Sequence, residues 1–325
     1  MKKFLIMALT LILATAYAGE VFAEKQTIGI VVKAIGHAWF ERMRQGVERF
    51  SRDTGHETLF LGPAKPLPAE QAKLVEKLTD KGVDAICVIP FAPQVLEPAL
   101  KNAMDKGIVV ITHEAVNQQN MHYDIEAFDN AAYGAHLMDH LAKYMGREGD
   151  YLITVASLLS KSHNQWADAA IRRQKEKYPK MRLAADKILD YDDEKIAYQK
   201  IKRALRQYPN LRGIQGSAMP TVPGASRAVE ELGLQDKVAV VGTGLVSVAG
   251  HYLESGTAKV ISCWDPADAG YALGKLAIRV LERGKMADGM DLGIKGYNNI
   301  RVKGRILYGS AWIDITRENM KDHDF

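Results

Sequence analysis

Short apolar runs rich in β-branched residues alternate with longer amphipathic stretches along this chain, and this alternation limits the possible folds more than any other feature. The runs read TIGIVV at 27–32, DAICVI at 84–89 and GIVVIT at 107–112, with similar runs at 57–61, 151–156, 211–216, 237–242 and 258–264. Helical periodicity fills the intervals, as at 69–82, 93–107, 193–208 and about 267–284. Uninterrupted apolar strands separated by helices are typical of parallel sheets that are covered on both faces. The sequence therefore predicts an α/β fold.

The alternation breaks near 122–134, where polar residues interrupt it, and then resumes. We therefore predict two doubly wound parallel-sheet lobes, with chain crossings near 126–130, 263–266 and 297–305. The predicted N-terminal lobe comprises 24–127 plus 266–298, and the predicted C-terminal lobe comprises 128–265 plus 299–325. Several crossings make a hinge, and hinged lobes close around ligands. The alternative, two independent domains joined once, would leave the segment after 285 without a partner.

Residues 1–23 have the pattern of a secretory signal peptide. Lys2 and Lys3 precede an apolar stretch, and Val21-Phe22-Ala23 offers small residues at the usual cleavage spacing. A buried N-terminal helix is the alternative. We expect an exported protein of residues 24–325, located in the periplasm. No cysteine follows the expected cut, so we expect no lipid anchor.

The charge and cysteine content exclude several other classes of protein. The 43 Lys and Arg against 39 Asp and Glu give a net charge of +4 at pH 7, which is too mild to indicate nucleic-acid binding. Cys87 and Cys263 lie inside apolar runs, so buried thiols are favoured, although a disulfide stays possible.

The GTGLVS segment at 242–247 is not a GxGxxG loop, the motif that binds dinucleotide cofactors. We expect no cofactor and no metal, and we expect a monomer.

Polar, aromatic and charged residues collect directly after successive predicted strands. They are Lys33, Trp39 and Phe40 after the first run, His113 and Glu114 after the fourth, Ser162, His163 and Asn164 after the first run of the second lobe, and Trp264 and Asp265 after its last run. Ligands of open parallel sheets bind beyond the carboxyl ends of the strands. The sequence therefore predicts a ligand-binding cleft at these ends.

These residue types suit a small sugar or polyol. Charged partners such as Lys33 and Glu114 form stronger hydrogen bonds to hydroxyl groups than neutral partners do. The C–H face of a sugar ring packs on an aromatic side chain, for which Trp39, Phe40 and Trp264 are candidates.

Simpler structural roles stay open for several of these residues. Asn164 and Asp265 can each cap the helix that follows, and His113 can be a structural hydrogen-bonder. Trp39 and Phe40 are adjacent and do not share one face of a helix, so one of them is expected to pack in the core.

Several longer segments carry a family resemblance. They include TIGIVVKAIGHAWFERMRQG from residue 27, KGVDAICVIPFAPQVLEPALKNAMDKG from residue 81, FDNAAYGAHLMDHLAKYM from residue 128 and CWDPADAGYALGKLA from residue 263. Together with the predicted export signal, they resemble the periplasmic sugar-binding proteins of ABC transporters, of the ribose-binding-protein class. WDPADAG and the ending RENMKDHDF make the chain most similar to the branch of autoinducer-2-binding and rhamnose-binding proteins.

The resemblance implies a type I periplasmic binding protein that captures its ligand by lobe closure and delivers it to an ABC transporter permease in the inner membrane. It implies ligand contacts for Lys33 and Glu114 and ring stacking for Phe40. The autoinducer-2 branch has an Asp-Gln pair where this chain has Ser162 and His163. Because this exchange removes a negative charge, we favour a pentose, a deoxyhexose or a short polyol. An autoinducer-2-like signal, or a chemoreceptor as partner, is the alternative.

Catalysis on a bound sugar is the competing class of function. His113 and Glu114 are able to exchange protons, but hydrolysis of a glycosidic bond normally uses two positioned carboxylates. Only Glu114 and Asp265 are available at the predicted cleft. We therefore expect a binding protein and not an enzyme.

Overall fold

The computed structural model describes residues 24–325, so the predicted signal peptide at 1–23 lies outside the described residues. The strands are β1 (Thr27–Val31), β2 (Glu57–Leu61), β3 (Ala85–Val88), β4 (Val109–His113), β5 (Tyr123–Glu126), β6 (Gly149–Val155), β7 (Met181–Leu183), β8 (Ile188–Leu189), β9 (Leu211–Gly216), β10 (Ala239–Gly242), β11 (Ala258–Cys263), β12 (Arg301–Lys303), β13 (Ile306–Tyr308) and β14 (Ile313–Ile315). The helices are α1 (Ala38–Thr54), α2 (Pro68–Lys81), α3 (Pro93–Asp105), α4 (Asn130–Met145), α5 (Lys161–Lys177), α6 (Glu194–Gln207), α7 (Thr221–Glu231), α8 (Val246–Ser255) and α9 (Pro266–Leu281), with a 3-10 helix at Met320–Asp322. Within residues 24–325, no helix has the length and apolar character that crossing a membrane requires.

The strands form two seven-stranded sheets. The first has the order β12-β13-β5-β4-β3-β1-β2, and the second has the order β14-β11-β10-β9-β6-β7, with β8 also paired to β6. All pairs are parallel except β12 with β13 and β11 with β14. The central strands, such as β3 and β4, are buried along their whole length because helices cover both faces. The predicted α/β class, with two doubly wound lobes of the type I periplasmic binding protein fold, is confirmed.

The helices pair closely on the faces of each sheet. In the first lobe α1 packs on α9, and in the second lobe α4 packs on α5. Both contacts depend on glycine: a Cβ atom built on Gly46 would lie 1.7 Å from the Ala267 carbonyl oxygen, and one built on Gly134 would lie 2.2 Å from that of Trp166. Only glycine allows backbones to approach this closely.

The chain passes between the two sheets after β5, after β11 and after β13. Helix α9 packs on β3 and β4, so it belongs with the first sheet, although β11 before it belongs to the second. The third passage differs from the expected boundary at 298/299. Residues 306–308 pair with β5 of the first sheet, so the chain leaves that sheet only after Tyr308. The sequence pattern placed this boundary too early because short, partly exposed strands lack a clear apolar run.

The two cysteines lie in different sheets. Cys87 is in β3 and Cys263 ends β11, and both are buried free thiols. The interpretation as buried thiols is confirmed in this structure.

Candidate ligand-binding cleft

Lys33 and Glu114 form an ion pair at the carboxyl ends of two strands of the first sheet. Lys33 follows β1 and Glu114 follows β4 directly, and the distance from Lys33 Nζ to Glu114 Oε2 is 2.6 Å. Only 7% and 5% of the two side chains is exposed. Glu114 has a left-handed backbone with φ of 61°. Such conformations in a residue other than glycine cost free energy and concentrate at functional sites.

The pair stays charged although it is buried. Burial raises the pKa of Glu114, but Lys33, His113 and His163 lower it more, and the pKa falls to about 2. Burial lowers the pKa of Lys33, but the Glu114 carboxylate more than offsets this, and the pKa lies above its ordinary value. The cleft therefore contains a fixed cation beside a fixed anion at neutral pH.

A cavity surrounds this pair, and both lobes contribute to its walls. The lining residues are Lys33, His37, Trp39, Phe40 and Glu114 from the first lobe, His163, Trp166, Asp192, Ser217, Met219 and Thr243 from the second, and Trp264 from the crossing after β11. The space left between these side chains is about 30 Å³. This is room for about two water molecules, so a sugar ring enters only when the walls move apart.

Two histidines and an aspartate in the wall have pKa values that the cavity shifts. Burial, reinforced by the charge of Lys33, lowers the pKa of His37 to about 4 and that of His163 to about 3. Both imidazoles are therefore neutral at pH 7. The pKa of Asp192 is raised to about 7, mainly by burial. Lys33 lowers this pKa in part, and the carboxylates of Asp190 and Glu114 raise it further.

Several buried polar atoms around the cavity have no hydrogen-bond partner within residues 24–325. They are both ring nitrogens of His37, Nε2 of His113, Oγ of Ser217 and Nε1 of Trp264. Lys33 Nζ carries three protons and uses one of them, towards Glu114, in the described part of the chain. Buried polar groups without partners are rare in folded proteins. Their concentration here indicates a surface that a hydrogen-bonding ligand would satisfy.

Aromatic rings form the apolar wall. Trp39 and Trp264 meet edge to face with ring centroids 4.7 Å apart, and Trp166 lies 5.8 Å from Trp264. Trp39 and Phe40 both line the cavity and are each 5% exposed, which differs from the expectation that one of them packs away from the cleft. They lie in the first turn of α1, where the helix end itself faces the cavity, so two adjacent residues reach it.

Two predicted residues lie outside the cavity. Asp265 caps α9 by accepting from the Ala267 N–H at 2.8 Å, and it forms two hydrogen bonds to Arg42 at 2.9 and 2.7 Å. Asn164 donates to the Ser157 and Ser160 carbonyl oxygens at 2.9 and 2.8 Å. Both side chains are engaged in structural contacts.

Two more predicted residues lie beside the cavity, behind Glu114. Ser162 Oγ donates to Glu114 Oε2 at 3.4 Å and so connects the second lobe to the first. His113 contacts the Ile125 carbonyl oxygen through Nδ1, and its Nε2 lies 4.0 Å from Glu114 Oε1.

Six lining residues were not among the ligand contacts predicted from the sequence. They are His37, Trp166, Asp192, Ser217, Met219 and Thr243. Ser217 and Thr243 follow β9 and β10 directly, so the rule that selected Lys33 and Glu114 also selects them. Asp192 follows β8, a strand of two residues that leaves no readable sequence pattern.

The chain belongs to the periplasmic binding protein family: the periplasmic binding protein domain matches residues 28–286. Within this family it is similar to the D-allose-binding periplasmic protein of Escherichia coli (strain K12), with 26% identity over 268 residues that cover 79% of this chain and 85% of that protein. The resemblance inferred from the sequence is thereby confirmed.

Two solved structures have the same fold. LsrB from Clostridium saccharobutylicum in complex with AI-2 superposes with a TM-score of 0.86 at 20% identity, covering 92% of this chain and 100% of that one. A solute-binding protein of an ABC transporter from Clostridium phytofermentas with bound L-rhamnose gives a TM-score of 0.85 at 20% identity, covering 92% and 98%.

Proposed function

We propose that this protein is the periplasmic substrate-binding component of an ABC transporter, and that it captures a small sugar or polyol between its lobes. The observation that carries the proposal is the buried Lys33–Glu114 pair in a cavity with unpartnered polar atoms and aromatic walls. Charged donors and acceptors beside apolar rings match a ligand whose edge carries hydroxyl groups and whose face carries C–H bonds.

In the proposed mechanism each lobe supplies half of the site. Lys33 donates to a ligand oxygen, while Glu114 and Asp192 accept from hydroxyl groups. Trp39 and Trp264 cover a carbon face of the ring. The ligand stabilises the closed arrangement by binding both halves at once, and the closed surface is what a membrane permease recognises.

The relatives support a sugar as the ligand class. D-allose and L-rhamnose are named for two of the similar proteins. AI-2 is bound by a third, but Ser162 and His163 replace the Asp-Gln pair of that branch. We therefore favour a pentose, a deoxyhexose or a polyol, and we infer binding without catalysis. Export to the periplasm and a monomeric state complete the proposal.

A thermal-shift screen of residues 24–325 tests this function. The panel contains pentoses, deoxyhexoses, hexoses, polyols and autoinducer-2. A ligand at about one hundred times its Kd stabilises the folded state by about 2.7 kcal/mol, which raises Tm by several degrees. Isothermal titration then gives Kd for each compound that raises Tm.

Two lysine variants make the screen specific. Lys33→Ala is expected to abolish the shift, whereas Lys73→Ala is the matched control, because Lys73 is exposed on α2. No shift from any compound with the wild-type protein folded would refute the small-sugar proposal. A shift confined to autoinducer-2 would favour the signalling alternative.

A further inference from the structure

Two histidines of α4 and one aspartate of β14 meet on the second lobe, outside the cleft. His136 and His140 are four residues apart and share one face of the helix. Asp314 faces them from β14, 178 residues further along the chain than His136. His136 Nε2 lies 2.9 and 2.8 Å from the two carboxylate oxygens of Asp314. His140 Nε2 lies 3.1 Å from His136 Nε2 and 3.2 Å from Asp314 Oδ2.

The distances between these atoms approach those between the ligands of a tetrahedral metal ion. Zn²⁺ bonds of about 2.0–2.1 Å to nitrogen and oxygen place neighbouring ligand atoms about 3.3 Å apart. The three atoms here are separated by 2.8–3.2 Å, so a small outward movement brings them to that spacing. Imidazole and carboxylate together are a common ligand set for zinc.

Hydrogen bonds bring both imidazoles to one carboxylate. A neutral imidazole has one N–H donor and one acceptor nitrogen. His136 and His140 each reach Asp314 through Nε2, at 2.8 and 3.2 Å, so each can donate a proton to the carboxylate. The two protonated nitrogens then lie only 3.1 Å apart. A single cation accepts a lone pair from both nitrogens and balances the carboxylate charge.

Outer contacts hold Asp314 and the His136 ring in place. Ser262 Oγ donates to Asp314 Oδ1, and Asn319 Nδ2 donates to the Asp314 carbonyl oxygen at 2.9 Å. The His136 ring stacks on Trp312 with centroids 5.2 Å apart and an interplanar angle of 14°. Contacts of this kind orient the ligands of metal sites. The three side chains are 20–29% exposed, so a fourth ligand position faces solvent.

We propose that His136, His140 and Asp314 bind one Zn²⁺ or a similar divalent transition-metal ion, with water as the fourth ligand. The expectation of no metal site neglects the His136-x-x-x-His140 spacing, and Asp314 is too distant along the chain to be assigned to it from sequence. Helix α4 begins after the first crossing of the chain and β14 begins after the third. The ion therefore fastens two hinge-adjacent segments of the second lobe to each other.

Zinc titration of tag-free protein tests this site. The protein is stripped with a chelator, dialysed and titrated with ZnCl₂ against a competing chromophoric indicator. We expect one tight site per chain and a rise in Tm on loading. His140→Ala and Asp314→Asn should each weaken binding at least about tenfold, because each removes one of three protein ligands.

His251→Ala is the matched control, because His251 is an exposed histidine on α8. It should bind Zn²⁺ as the wild type does. Circular dichroism shows whether each variant is folded, and the isosteric Asp314→Asn keeps the test valid if His140→Ala does not fold. Co²⁺ in place of Zn²⁺ adds a spectroscopic signature, because four-coordinate Co²⁺ absorbs strongly in the visible range. Non-saturable binding, or equal affinity in the wild type and Asp314→Asn, would overturn the proposal.

Discussion

Lys33 and Glu114 are 81 residues apart in the chain, yet their side chains form a 2.6 Å ion pair beneath the aromatic wall of the cleft. The pair connects the ends of β1 and β4, two strands separated by β3 in the sheet. Buried ion pairs often add no more stability than well-packed apolar residues of similar volume, because removing two charges from water costs solvation free energy. The pair is thus better explained by a ligand that it recognises than by the stability that it adds.

Removing one member of the pair separates these two explanations. Lys33→Met leaves Glu114 charged and buried without its partner, so we expect a loss of about 3–5 kcal/mol in the free energy of unfolding. The double variant Lys33→Met/Glu114→Gln should regain most of this stability but no ligand binding. Urea denaturation and calorimetric titration measure the two effects.

The exposed pair of Arg44 and Glu48 provides the control for this comparison. Arg44 Nη1 lies 2.6 Å from Glu48 Oε1, but the two side chains are 45% and 48% exposed. Arg44→Ala should change stability by no more than about 1 kcal/mol. A double variant that still binds the ligand with wild-type affinity would contradict the role assigned to Lys33 and Glu114.

The sequence predicted the central strands well, because each is a buried apolar run. It missed β5, β7, β8 and the strands after residue 300, which are short and partly polar. Their pairing depends on distant partners: β13 belongs to the first sheet only because β5 lies beside it. The last lobe boundary was misplaced for the same reason.

The residues of the candidate site were likewise predictable only where they follow a strand that the sequence pattern shows. Lys33 and Glu114 were predictable because strand ends are readable and ligands bind at strand ends. The structural role of Asp265 was left open, because its partner Arg42 lies 223 residues away. Asp192 could not be predicted, because its position follows from the packing of β8 against β6.

His37 and His163 should each contribute a loss of stability as the pH falls below about 6.5, whereas Asp192, with a pKa raised to about 7, contributes in the opposite direction. The folded pKa values of His37 and His163 are about 4 and about 3, below the ordinary 6.5. At these two histidines the unfolded state therefore binds protons first as the pH falls, and their contribution to stability is lost between pH 6.5 and the folded values. Glu114, with a pKa lowered from 4.5 to about 2, adds a further loss below pH 4.5.

A glutamine variant isolates one contribution to this pH dependence. His163→Gln keeps an acceptor for the Ala156 N–H and removes the titrating ring. Between pH 6 and pH 4 the slope of its unfolding free energy against pH should be less positive than that of the wild type, by up to about 1.4 kcal/mol for each pH unit. Urea denaturation at several pH values measures the slopes. His251→Gln is the exposed control, and an unchanged slope in His163→Gln would count against the buried neutral imidazole.

Asp265 should matter for stability and not for ligand affinity. Its carboxylate caps α9 and binds Arg42 with both oxygens, and it is absent from the walls of the cavity. Asp265→Asn keeps a capping side chain but loses the charge, so we expect a loss of about 1–3 kcal/mol. Asp265→Ala also loses the cap, at a further cost of about 1 kcal/mol. In both variants Kd should stay within about threefold of the wild-type value. A tenfold or larger rise in Kd in folded Asp265→Asn would restore Asp265 to the ligand site.

The contact between α1 and α9 should be intolerant of a single methyl group. A Cβ atom at residue 46 would lie 1.7 Å from the Ala267 carbonyl oxygen, so the two helices must separate to accept it. Alanine favours an isolated helix by about 1 kcal/mol over glycine. The expected net loss for Gly46→Ala is nevertheless about 2 kcal/mol, because overpacking against a backbone has no side chain that can yield. Gly250→Ala in α8 is the matched control, since the atoms nearest to its Cβ would be side-chain atoms of Val246 and Met320, at 3.0 and 3.2 Å. Its stability should stay within about 1 kcal/mol of the wild type. Equal unfolding free energies for the two variants in urea would show that α1 and α9 are packed less tightly than the structure indicates.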